Sequence, residues 1–372
     1  MKKILARHWS YVPTGLGLAA LLIIFWFLNQ SYLAPGKGTV AQFLENPMFT
    51  FGLIIFGAHI GAFISGEFSV KVPMTYEPLV LSLAGGFIAG MGAVIAEMSI
   101  HSVVLFNLAG VFTLPAFMIT KGWIYAVFMV LGGLAGSKLL VLIILKTASL
   151  KKEIFVPEIL RSKRNQQIMF YAVVAFFAIS LLVVLLLQQL TYPEKTGLVL
   201  AMFLLALFGL VAERGTICMS SMLKEWFISH SAYVWRNVLF TVMCLALLYQ
   251  AGLQLSIYEP IKLERHVPNL GPLVVGSFLM GFGFIFADGC FIGSLWKAGQ
   301  GNVINLVGII GLLMGIGASG FDKAMLVKLT DVSTSFIPNY LSSGMSPLLF
   351  LIVLWVAGGS LLMVLKQKRY RY

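Results

Sequence analysis

Between positions 286 and 302 the chain reads FADGCFIGSLWKAGQGN, which sets Asp288, Gly289, Cys290, Gly293 and Lys297 inside an otherwise apolar run. A second such interruption, ERGTICMSSMLKEW at 213–226, carries Glu213, Arg214 and Cys218. A thiol beside a helix break is a soft, polarizable, weak hydrogen-bonding group, better matched to a sulfur or selenium ligand than to a hard oxyanion, although a small helix-packing role is the competing reading. Glycines flanking such a break, here Gly289 and Gly293, free backbone N–H groups to hold an anion. Arg214 and Lys297 carry the positive charge that would neutralise a permeating anion. Glu97 and Asp288 are expected to cap helix ends by accepting backbone N–H bonds, with structural ion pairing as the alternative. Glu213 and Arg214, being adjacent, are expected on different sides of a helix, each pairing across to a neighbour. His59 and His101 are open to the same two readings.

Cysteine usage restricts the chemistry further. The three cysteines, Cys218, Cys244 and Cys290, form no CxxC or Cys/His spacing, so no zinc or iron–sulfur site is expected. Cys244, within VLFTVMCLALLY, reads as an inert core residue. No GxxxxGK[ST] pattern occurs, so the chain is not expected to hydrolyse ATP, and neither a cofactor nor an enzymatic activity is expected.

The elements that must position these residues are helices in a membrane. Of the 372 residues 59% are hydrophobic and 11% charged, and the mean hydropathy is +0.94, well beyond soluble-domain composition. Runs such as 12–28, 123–145, 168–187 and 347–365 approach the roughly 20 residues that a spanning helix needs. The fold class is therefore all-α and polytopic, with about eight to ten spanning helices. The first apolar run lacks a clear cleavage site after its basic start and reads as an uncleaved helix.

The net charge of +12 is explained by where it lies. Lys2, Lys3 and Arg7 begin the chain, Lys146, Lys151, Lys152, Arg161, Lys163 and Arg164 fill one polar loop, and Lys366, Lys368, Arg369 and Arg371 close it. Each cluster abuts apolar sequence and so marks the cytoplasmic side of a bilayer rather than a nucleic-acid surface. The expected organisation is a first membrane half at 1–145, a basic cytoplasmic linker at 146–167 and a second half at 168–372, with both termini cytoplasmic.

The halves resemble each other. Sliding by 191 positions sets GGFIAGMGAVIAEMS (85–99) over GSFLMGFGFIFADGC (276–290), so Gly85 and Gly92 meet Gly276 and Gly283, Glu97 meets Asp288, and Ser99 meets Cys290. A less regular pair joins 56–70 to 208–226 in an open register. With all basic clusters on one side, the repeat is expected to be parallel. Paired Gly-interrupted segments in two halves point to a transporter binding site near the bilayer midplane. The spacings Gly86/Gly90 and Ser277/Gly281 read as helix packing.

Three segments then match a known pattern in order. ERGTICMSSMLKEWFIS (213–229) resembles the ER-x-x-I/F-C-F-x-S/G-A-F-R-D segment of the YeeE/YedE family of sulfur and selenium transport proteins. GFGFIFADGCFIGSLWKAGQGN (281–302) resembles its GFG-x-x-x-A-G-G-C segment, and GAFISGEFSVKVP (61–73) its GA-x-x-S-G-E-F segment. The long N-terminal helix and basic central loop are similar to the selenium-metabolism branch. The resemblance implies pseudo-symmetric halves, with short re-entrant helices meeting at a constriction where cysteines contact thiosulfate or a related ion. Cys218 and Cys290 match two such positions. Ser99 stands where the first half usually has cysteine, and Lys224 where the motif has arginine. The expectation is import of a small sulfur- or selenium-containing anion across a prokaryotic inner membrane, passing Ser99, Cys218 and Cys290. The alternative is a membrane sulfur relay that forms a persulfide on Cys290 and hands sulfur to a soluble cytoplasmic carrier protein.

Overall fold

The computed structural model describes residues 10–32, 47–73, 75–96, 122–147, scattered positions between 164 and 179, 192–228, 233–254, 270–320 and 359–360. Ten helices are named along them: α1 (Tyr11–Tyr32), α2 (Pro47–Ser65), α3 (Glu77–Ile95), α4 (Gly122–Thr147), α5 (Tyr192–Gly215), α6 (Met219–Ile228), α7 (Tyr233–Gln254), α8 (Leu270–Phe286), α9 (Phe291–Gly299) and α10 (Val303–Gly320). Glu97, Ser99, His101 and most of the basic linker lie outside the described residues.

Helices are the expected element here, because a lipid-facing backbone has no water to bond and must satisfy its N–H and C=O groups internally. Glu77–Ile95, Val199–Glu225 and Gly271–Gly299 are long and apolar enough to cross a membrane, and Tyr11–Leu21, Thr50–Ser65, Val127–Ile143 and Val303–Ser319 are shorter apolar stretches. The protein is an all-α polytopic membrane protein. In contrast, α6 has 10 residues and α9 has 9, the latter about 14 Å long at 1.5 Å per residue and too short to span.

Three helices end in the same way. Glu67 N–H donates to Ala62 O at 2.8 Å, Ile217 N–H to Ala212 O at 3.2 Å and Gly289 N–H to Phe284 O at 3.2 Å. The preceding residues, Gly66, Thr216 and Asp288, each bond three residues back, and all three have positive φ, at 77°, 51° and 56°. This is the Schellman termination, whose left-handed residue is usually glycine. Thr216 and Asp288 hold that conformation with a side chain attached.

Glycines set the packing. A Cβ on Gly85 would lie 2.7 Å from Gly283 O, and one on Gly92 would lie 2.6 Å from Gly276 O. These approaches are reciprocal under the 191-residue shift, and as the position rises along α3 it falls along α8. The matched helices therefore run antiparallel, and the expected parallel repeat fails for this pair, because the operation that exchanges them reverses the chain direction. Gly57 abuts the Ala206 carbonyl and Gly209 the Ile54 carbonyl, again reciprocally, between α2 and α5. Gly86 and Gly90 press on backbone of α10, and Gly281 on backbone of α4, the close approach that small residues allow.

Candidate functional site

The breaks after α5 and α8 converge. Cys290 caps α9: its Sγ accepts from Gly293 N–H at 3.4 Å, three residues on. Cys218 Sγ accepts from Ser221 N–H at 3.4 Å in the same relation to α6. The two caps touch across the break, since Met219 N–H also donates to Cys290 Sγ, at 3.3 Å. Gly293 lies between them: a Cβ there would fall on Cys218 Sγ and lie 3.4 Å from Cys290 Sγ. Both thiols are free, and Cys218 is 0% and Cys290 7% exposed.

Each break is braced from other helices. Trp296 Nε1–H donates to Ile217 O at 2.8 Å, Ser220 Oγ–H to Phe284 O at 2.8 Å, and Asn237 Nδ2–H to Gly215 O at 2.6 Å. Asn305 Nδ2–H donates to Ala287 O at 3.3 Å and Asp288 O at 3.2 Å. These donors reach carbonyls at the ends of the interrupted helices, the Phe284 carbonyl also accepting from Gly289 N–H, and an unpaired carbonyl in this interior would cost about 1–3 kcal/mol. Gly289 is sterically required, because a Cβ there would come 2.5 Å from Ser294 Oγ.

Charge beside the thiols is arranged differently from the sequence expectation. Asp288 does not cap α9; Cys290 does. The Asp288 carboxylate instead receives Lys224 Nζ at 2.7 Å and lies 3.5 Å from Lys297 Nζ, which also donates to the Asp288 carbonyl at 2.5 Å. Left-handed backbone at Asp288 turns its side chain toward the lysines, away from the N–H groups of the following turn. Glu225 lies within electrostatic range of Lys224, Lys297 and Asp288.

Glu213 and Arg214 depart too. Rather than pointing apart, they bond to each other: Arg214 Nε–H donates to Glu213 Oε2 at 2.5 Å and Nη2 to Glu213 Oε1. Arg214 Nη2 also reaches Glu67 Oε2 at 2.8 Å, and Gln300 Nε2–H donates to Glu213 Oε1 at 2.8 Å. Both members of the adjacent pair are fully buried. Because α5 ends at Gly215, the last turn can fold the two side chains together, which a continuing helix would prevent. Arg214 thus has two carboxylates for partners, and its charge is already balanced within the protein.

The cluster sits where the 66–73 segment docks. Ser69 N–H donates to Gln300 O at 3.2 Å, Lys71 N–H to Gly301 O at 2.9 Å and Val303 N–H to Lys71 O at 3.1 Å. Nearby, His59 Nδ1 pairs with Gly299 O at 3.0 Å, so this histidine binds the end of α9. Cys244 lies buried in α7, as its apolar surroundings predict. Among the described residues no group of three or more His, Cys, Asp or Glu could hold a metal. Sequence reasoning did not single out Glu67, Trp296, Gln300 and Asn305 as a brace. Glu67 stands directly after the Gly66 turn, a legible local signal, whereas Asn305 lies 17 positions after Asp288 and has none.

The comparisons bear on this half of the chain. A family profile described as sulphur transport matches residues 214–372, which contain both cysteine breaks. These residues are therefore similar to the sulphur transport family. The family likeness extends further in individual relatives. The probable transporter YedE of Salmonella typhimurium is 28% identical over 257 residues, 68% of this chain and 60% of its own length, and that of Escherichia coli is 27% identical over the same coverage. The thiosulfate transporter TsuA of Spirochaeta thermophila is 29% identical over 116 residues, 30% of this chain and 32% of its own. The chain thus spans about 60% of the length of the YedE relatives it matches.

Proposed function

We propose that this protein carries a small sulfur- or selenium-containing anion across a prokaryotic inner membrane, through the junction where Cys218 and Cys290 face one another. The observation that carries this reading is the pair of thiols capping two broken helices around Gly293, with the Lys297 side chain of α9 reaching back to the Asp288 carbonyl at the break. Such a junction offers soft hydrogen-bonding groups and freed backbone donors in an interior where few polar groups are otherwise tolerated. The match of residues 214–372 to a sulphur transport profile and the likeness to a thiosulfate transporter support the same substrate class. In this reading Cys218, Cys290, Gly289, Gly293 and Lys297 form the path with Ser99. Glu97, Asp288, Glu213 and Arg214 are supporting charges, Arg214 holding the frame rather than the ion. The halves divide at 146–167, derive from a duplicated unit, and place both termini in the cytoplasm.

Transfer proceeds by exchange of hydrogen bonds, with no covalent step. A persulfide relay to a soluble carrier would need an accessible thiolate, and the burial of both thiols argues against it. The test is uptake by proteoliposomes of thiosulfate, sulfite, selenite and sulfate side by side. Uptake of a sulfur- or selenium-containing anion, lost in Cys290→Ala, is expected; no uptake of any of the four by folded, reconstituted protein overturns the proposal.

A further inference from the structure

Asp288 occupies a backbone conformation made for glycine. Its φ is 56°, at the left-handed position of a Schellman turn, where the equivalent turn after α2 has Gly66. Left-handed backbone is unfavourable for an ordinary side chain, although Asp tolerates it better than most. The carboxylate placed there has a specific partner, Lys224 of α6, at 2.7 Å. One charge on α6 and one in the turn before α9 thus meet in an ion pair beside the cysteine junction.

The consequence is electrostatic. Without Asp288, Lys224 and Lys297 would present two positive charges against Glu225 alone. With Asp288 in place, two lysines face two carboxylates, and the side chains of Lys224 and Asp288 are 31% and 32% exposed, so the pair is half-buried rather than sealed in the core. An anion approaching the lysines must displace or sit beside a fixed negative charge, and the repulsion grows with the anion's own charge.

We infer that Asp288 is an internal counter-anion that sets charge selectivity, making the junction favour singly charged sulfur or selenium species over dianions. This rests on the transport reading above and refines its substrate class.

The experiment measures binding of thiosulfate, a dianion, and thiocyanate, a sulfur-terminated monoanion, to the full chain in lipid nanodiscs, together with uptake in proteoliposomes. Wild type is compared with Asp288→Asn and Asp288→Gly. The glycine variant suits the left-handed backbone, so loss of folding does not confound it. Removing one charge at this range is expected to raise thiosulfate affinity by about tenfold and thiocyanate affinity by about threefold, because the logarithm of the shift scales with ligand charge. Equal shifts for both anions, or none, in folded variants overturn the inference. If wild type still transports and only the selectivity is unmoved, the transport reading stands alone; if wild type neither binds nor transports either anion, the inference fails, and the transport reading fails with it where sulfite, selenite and sulfate are not taken up either.

Discussion

Cys218 and Cys290 are 72 positions apart in the chain yet cap their helices identically, each sulfur accepting a 3.4 Å bond from the backbone N–H three residues on. The turns before them match bond for bond, so Thr216 and Asp288, Ala212 and Phe284, and Cys218 and Cys290 are equivalent positions of one helix-break-helix device. Two copies placed tip to tip make a junction that neither would make alone.

Removing the space between the tips should break the junction. Gly293→Ala places a methyl on Cys218 Sγ and is expected to abolish most uptake and to destabilise the protein by about 1–3 kcal/mol, as overpacking does. Gly317→Ala, whose Cβ meets open space, should be silent in both assays. Uptake and thermal unfolding of the two variants, measured in parallel, check this.

Sulfur at the tips should matter more than sulfur elsewhere. Cys290→Ala should abolish or severely reduce uptake, whereas Cys290→Ser, which keeps a donor, should retain part of it. Cys244→Ala should leave uptake nearly unchanged. A folded but fully inactive Cys290→Ser, with an additional sulfur found on wild-type Cys290 by mass spectrometry, would favour the relay.

Arg214 should be a matter of stability. Arg214→Gln strands the buried Glu213 and should cost about 3–5 kcal/mol, the penalty for an uncompensated buried charge. Adding Glu213→Gln should recover much of the lost unfolding temperature. Lys151→Gln, in the basic linker, should change neither unfolding nor uptake. An Arg214→Gln protein of wild-type stability with lost uptake would put the guanidinium on the ion's path instead.

Topology follows from the lysines and arginines at the ends and in the 146–167 loop. Reporter fusions at the N-terminus, at that loop and at the C-terminus should all report the cytoplasm, which, with α3 and α8 antiparallel, requires the crossings before α3 and those between the loop and α8 to differ by an odd number; any one fusion outside would overturn the assignment.

Helices, their breaks and the thiols at those breaks were legible in the sequence, because each depends on local chemistry. A long apolar run in lipid has to be helical to satisfy its backbone, and a polar, Gly-rich interruption in such a run has to be a break. The 191-residue match even located the glycines through which α3 and α8 touch. Partners and directions were decided by tertiary structure alone. Glu67 reaches Arg214 across 147 positions, Lys224 reaches Asp288 across 64, and α3 runs antiparallel to its counterpart α8. Composition allows many pairings of the same few buried charges. Which pairing forms is fixed by where close backbone contacts seat the helix ends, and by the left-handed turn at Asp288 that aims its carboxylate at two lysines instead of at the helix it precedes.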